Sequence, residues 1–142
     1  MRFMMLVKAS KESEGGALPR KELLAAMGQF NEEMVKAGVL IAGDGLQPSS
    51  KGTRVTFSGS KRTFTDGPFA ETKELLAGFW MIDVKSKADA LAWAARVPFT
   101  DGEVVEVRQV FEAEDFPAEG FPPEEAAREQ KLRDELQRRA TR

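Results

Sequence analysis

The sequence predicts an α+β domain in which a β-α-β pattern occurs twice, with a β-hairpin inserted between the two halves. Three observations carry that expectation. Short apolar runs recur at residues 3–7, 39–42 and 78–84, with a further strand-like segment at 103–111. Two segments with apolar residues at helical spacing separate the first run from the second and the third from the fourth. Between the halves, residues 53–57 and 61–65 flank Ser58-Gly59-Ser60, the chemistry of a hairpin turn.

Each element follows from local chemistry. Residues 3–7, FMMLV, form a compact apolar run bounded by charge and read as a strand. Residues 10–17, SKESEGGA, read as a polar, glycine-bearing loop. Leu18-Pro19 opens a helix, because proline suits a first turn where its missing N–H would have no partner. Leu23, Met27, Phe30 and Met34 follow at helical spacing, and Gly38 sits where a left-handed C-cap is expected. Residues 39–42 form the second strand, expected to end in a glycine-rich turn, Gly43-Asp44-Gly45. After the hairpin and a polar stretch, residues 78–84 make a strongly apolar strand. Ser86 with Asp89 three residues on resembles a capping box, with Asp in place of the usual Glu. The helix that follows carries Ala90, Leu91, Trp93, Ala94 and Val97, and Pro98 stops it. With a last strand over 103–111, this order is the ferredoxin-like, split β-α-β arrangement.

The strands say more. A two-layer monomer should leave one sheet face wet and alternate apolar with polar, yet FMMLV, VLIA and FWMI are apolar at consecutive positions. Two helices cover one face only. A second subunit's sheet on the other face would explain the pattern, giving a homodimer that closes into a dimeric α+β barrel. The alternative is that the hairpin or the C-terminal tail covers that face. Composition shifts from residue 112: EAEDFPAEGFPP is acidic and proline-bearing, and residues 124–139 have helix formers with opposite charges four apart, at Glu124–Arg128, Glu129–Arg133 and Asp134–Arg138. The expected organisation is one domain over 1–112 and, over 113–142, an acidic linker with a charged, mostly solvated helix.

Composition excludes whole classes of chemistry. The 142 residues contain no Cys, His or Tyr, so thiol catalysis, histidine or thiolate metal sites and Ser-His-Asp triads cannot be built within this chain. Carboxylates and lysines remain for acid–base work. No feature requires a metal or an organic cofactor. A net charge of −2 offers no basic excess for nucleic acid. No apolar run approaches the roughly 20 residues of a membrane span, and the N-terminal run is too short for a secretory signal, so a cytoplasmic protein is expected.

The densest chemistry lies in residues 66–74, DGPFAETKE. Asp66-Gly67-Pro68 has turn chemistry. Phe69 is either a plug that pins the loop or part of a ligand site. Glu71 to Glu74 are helix-compatible and fill one or two helical turns, in which Glu71 and Glu74 share a face and Lys73 points elsewhere. Gathered into a pocket, such carboxylates could share a proton, hold a cation or act as acid and base; spread on a surface, they are only a solvated turn. Asp66, at the end of a hairpin strand, is the candidate base. Arg108, on the last strand, is the natural cation for an anionic ligand if the face it shares with Glu106 looks into a cavity.

These residues carry a resemblance. Gly38-Val39-Leu40, the segment Gly43-Asp44-Gly45-Leu46-Gln47-Pro48, the motif DGPFAETKE at 66–74 and Gly78-Phe79-Trp80 resemble the DGPFAETKE branch of the YCII-related proteins. So do Ala90-Leu91-Ala92-Trp93-Ala94-Ala95 with Pro98, and Glu106-Val107-Arg108. The resemblance covers residues 2 to 112. It implies a dimeric α+β barrel with a cleft. Some relatives have been proposed to use a histidine–aspartate pair, and a few act on chlorinated aromatic or lactone-type metabolites; without histidine that pair cannot operate here. Genetic proximity of this branch to extracytoplasmic-function sigma factors implies a regulatory link. The function expected is binding of a small anionic metabolite in a homodimer cleft lined by Asp66, Phe69, Glu71, Lys73 and Arg108. The alternatives are a lyase or isomerase using Asp66 as general base, and a non-catalytic protein acting with a sigma factor through its tail.

Overall fold

The computed structural model describes every residue except Ala118, Phe121 and Arg142, and every side chain of these but that of Lys73. The chain divides into two compact units, Met1–Val110 and Phe111–Arg142. The first contains β1 (Arg2–Lys8), α1 (Lys11–Glu14), α2 (Lys21–Lys36), β2 (Leu40–Gly45), β3 (Thr53–Ser58), β4 (Lys61–Asp66), β5 (Leu76–Asp83), α3 (Lys87–Ala95) and β6 (Val105–Gln109). Short 3-10 turns lie at Ser49–Lys51 and Thr72–Glu74. The second unit contains a 3-10 turn at Ala113–Asp115 and α4 (Pro123–Ala140).

Four strands form one antiparallel sheet in the order β2-β5-β1-β6, and β3 pairs only with β4 in a separate two-stranded ribbon. The architecture is α+β, and its strand order is compatible with the ferredoxin-like arrangement. Alternation sorts the side chains. Phe3 and Met5 of β1 and Trp80 and Ile82 of β5 are buried with Phe30 and Met34 of α2 and Ala90 of α3. Trp80 anchors this core: its ring meets Phe30 edge-on at 5.5 Å, and its indole N–H donates to Asn31 Oδ1 at 2.8 Å. A buried indole N–H without such a partner would cost about 1–3 kcal/mol. Met4, Leu6, Phe79 and Met81 alternate onto the opposite face and are half-buried.

Helix ends follow the local code at most points. Gly38 (φ 73) ends α2 in a Schellman motif: its N–H reaches Val35 O at 3.0 Å, and Val39 N–H reaches Met34 O at 3.0 Å. Ser86 caps α3 by accepting from Asp89 N–H at 3.1 Å. The hairpin closes through Gly59-Ser60, with Gly59 at φ 59 in the first central position, where a type II′ turn requires positive φ.

Three local expectations are revised. The helix opens at Lys21 rather than at Leu18-Pro19, because Arg20 is extended (ψ 154) and leaves Pro19 outside the first turn. Inside the expected loop over 10–17 lies α1, stabilised by reciprocal bonds between Ser10 and Ser13, with Ser standing where Glu or Gln usually signals the box. Most informative is Gly43-Asp44-Gly45, which is strand and not turn: the three residues pair with Trp80, Phe79 and Gly78. These glycines serve close approach. A Cβ on Gly43 would lie 2.7 Å from Trp80 Cδ1, and one on Gly78 would lie 3.0 Å from Asp44 O.

In the second unit, α4 is exposed along Leu132 and Leu136 and carries ion pairs Arg133–Glu129 and Arg139–Glu135 four apart. Arg128 pairs with Glu125 at 3.5 Å, three residues away, rather than with Glu124.

Candidate functional site

The motif at 66–74 is built as a clamped turn. Asp66 ends β4 opposite Thr53, and its Oδ1 accepts from Thr53 Oγ1 at 2.8 Å across the ribbon. Gly67 N–H donates to Gly52 O at 3.0 Å. Gly67 also passes so near the Ser49–Lys51 turn that a Cβ would lie 1.8 Å from Ser49 O. Phe69 N–H donates to Ser49 Oγ at 3.0 Å. The Ser49 hydroxyl in turn donates to one carboxylate oxygen of Glu14, and the Ser49 N–H donates to the other at 3.0 Å. These bonds favour the ionised form and hold the Glu14 carboxyl below its ordinary pKa of 4.5, the side-chain bond most of all. A chain of contacts from α1 through Ser49 to Phe69 therefore fixes the loop.

Phe69 is half-buried and lies outside the hydrophobic core. The Arg54 guanidinium covers its ring at 3.8 Å, so it pins the loop to the base of the ribbon. Glu71 is exposed and precedes the 3-10 turn Thr72–Glu74, whose Glu74 N–H bonds Glu71 O at 2.8 Å. The Lys73 side chain lies outside the described residues. No hydrogen bond or ion pair among the described residues joins Asp66 to Glu71 or to Arg108.

Arg108 belongs to a second group. On β6 it stands beside Met4 of β1, and Glu106 stands beside Leu6, so both share the sheet face of Met4, Leu6, Phe79 and Met81. Glu106 lies between two cations: Lys8 Nζ approaches one oxygen at 3.5 Å, and Arg108 approaches the other at 3.9 Å. The side chain of Arg108 is 73% exposed, so this pairing is weak and its fork is available to an anion. The group carries one net positive charge beside an apolar floor. Lys8 escaped the sequence reading; its signal was a single charge ending the run FMMLV.

Among the described residues, one shallow groove of about 480 Å³ runs along α2 and another of about 340 Å³ lies between α3 and β6. Neither contains Asp66, Phe69, Glu71 or Arg108. Among the described residues no group of three or more carboxylates is gathered as a metal ion would need, and no helix is long and apolar enough to cross a membrane.

Comparison with known proteins gives two findings. The model of the YCII-related domain matches residues 1–114. An uncharacterised protein of Rhizobium meliloti (strain 1021) is 34% identical over 74 residues, which are 52% of this chain. The match spans 60% of that relative's length.

Proposed function

This chain belongs to the YCII-related domain family, and on that premise we propose that it binds a small anionic metabolite as a two-fold homodimer. The carrying observation is the pair of cations, Lys8 and Arg108, that share one carboxylate beside the apolar residues Met4, Leu6, Phe79 and Met81. In this reading Arg108 holds the anion through its planar fork, and the apolar face accepts the carbon skeleton. A second subunit's sheet closes the cleft over that face and gives a dimeric α+β barrel. The clamped loop forms the cleft's other side, with Asp66 orienting the ligand and Phe69, Glu71 and Lys73 along its rim. Clamping favours binding, because a loop already held by Ser49 and Glu14 loses little freedom when a ligand arrives.

The test is a thermal-shift screen of carboxylate and phosphate metabolites on the whole chain. A ligand at 100 times its dissociation constant stabilises by about 2.7 kcal/mol. That corresponds to a rise of roughly 10 °C in Tm for a domain of this size. Arg108→Gln should abolish the rise, and a screen without hits at millimolar ligand would refute the proposal. A second reading, proton abstraction by Asp66 in a lyase or isomerase, draws on the exposed position of that carboxylate at a strand end. It is abandoned if Asp66→Asn leaves turnover of an identified substrate unchanged.

A further inference from the structure

The β3–β4 ribbon stands exposed along its whole length. Neither strand joins the four-stranded sheet, and all twelve of their residues are exposed. Directly opposed residues share a face, so Thr53, Val55, Phe57, Arg62, Phe64 and Asp66 form one side of the ribbon. Phe57 is 69% exposed and Phe64 71%. An isolated two-stranded ribbon is marginally stable in water. This one is nevertheless fixed at its base, through Gly67, Phe69 and the Arg54 guanidinium, so it is a defined arm.

We infer that the Val55/Phe57/Phe64 side of this arm docks on a second copy of this chain. The inference rests on the homodimer proposed above and assigns it a contact it needs. A stable dimer buries about 800 Å² on each partner. Four half-buried side chains on the sheet face supply only part of that. Phe57 and Phe64 add roughly 300 Å² at their observed exposure, taking about 200 Å² for each side chain.

A basic, aromatic ribbon could also suit single-stranded nucleic acid, where bases stack on rings and cations meet phosphates. The contacts favour protein. Arg62 lies 4.5 Å from the Phe57 ring centre and donates to Gly59 O and Lys61 O, both at 2.9 Å. Arg54 is spent on Phe69. Cations already satisfied within the chain are suited to an apolar interface and poorly placed for phosphate.

The experiment is sedimentation equilibrium of the whole chain and of the Phe57→Ser/Phe64→Ser variant, with circular dichroism to confirm that these exposed positions leave the fold intact. The dimer dissociation constant should rise at least 100-fold in the variant. A dimeric wild type whose constant the substitutions leave unchanged overturns the arm's role and leaves the homodimer standing. A wild type that is monomeric at 100 μM removes both. In a parallel titration, binding of a fluorescent oligothymidylate in 150 mM salt that disappears in the variant would also overturn the assignment, giving the arm to nucleic acid.

Discussion

Replacing Gly43 by alanine sets two effects of opposite sign against each other. Gly43 has no positive φ, so alanine can adopt its backbone, and removing glycine from a strand should stabilise by about 0.5–1 kcal/mol. Against this, the new Cβ would lie 2.7 Å from Trp80 Cδ1 and 3.3 Å from Phe79 O. Trp80 cannot readily give way. It is 4% exposed, its N–H is bonded to Asn31, and its ring meets Phe30 and Phe99 at 5.5 and 6.3 Å. Overpacking of that kind costs about 1–3 kcal/mol, and here it exceeds the gain in backbone entropy. The net expectation is a loss of about 1–2 kcal/mol, or about 4–8 °C in Tm. Thermal unfolding followed by far-ultraviolet circular dichroism measures it. The cause is isolated by a double-mutant cycle with Trp80→Leu, in which Gly43→Ala should become neutral or stabilising. A Gly43→Ala protein that melts at or above wild type would refute the assignment of this glycine to the indole.

Three further outcomes follow from named contacts. Gly67→Ala, whose Cβ would meet Ser49 O at 1.8 Å, should break the clamp on the 66–74 loop, seen as faster proteolysis there than in wild type; equal cleavage rates would count against the clamp. Glu14 has a depressed folded-state pKa, so its contribution to stability is complete above its ordinary 4.5 and is lost as pH falls through the folded value. The Tm of wild type should therefore exceed that of Glu14→Gln at pH 7, with the gap closing towards pH 3, and a pH-independent gap would contradict the Ser49 bonds. Gly38→Ala forces a side chain into φ 73 and should cost about 1 kcal/mol, read as a lower urea midpoint at unchanged slope.

The alternating elements were legible because their signals are local. Leu23, Met27, Phe30 and Met34 announce one face of α2, Gly38 its end, and Ser86 the start of α3. The hairpin was legible for the same reason, since Ser58-Gly59-Ser60 carries its own turn chemistry. Gly43-Asp44-Gly45 misled because glycine is ambiguous: the same residue permits a turn or admits a neighbour, and only the packed indole distinguishes them. The candidate site divides in the same way. Asp66-Gly67-Pro68 reads as a turn from its residues alone, whereas its anchors, Ser49 and Glu14, lie 20 and 35 residues apart from their partners in the chain. Arg108 was visible as a cation on a strand, but Lys8 came to share Glu106 with it only when β1 and β6 paired.

By itself, then, the sequence determined the order of the strands and longer helices, the family and the chemistry this chain cannot perform, since absent histidine and cysteine stay absent in any fold. Tertiary structure alone decided that the motif is clamped by a distant serine and glutamate, that glycine serves a tryptophan, and that Phe57 and Phe64 stand exposed on an arm. The physical reason is range. Propensity, capping and turn chemistry act over about four residues. Packing and ion pairing join residues that only the closed chain brings within a few ångströms.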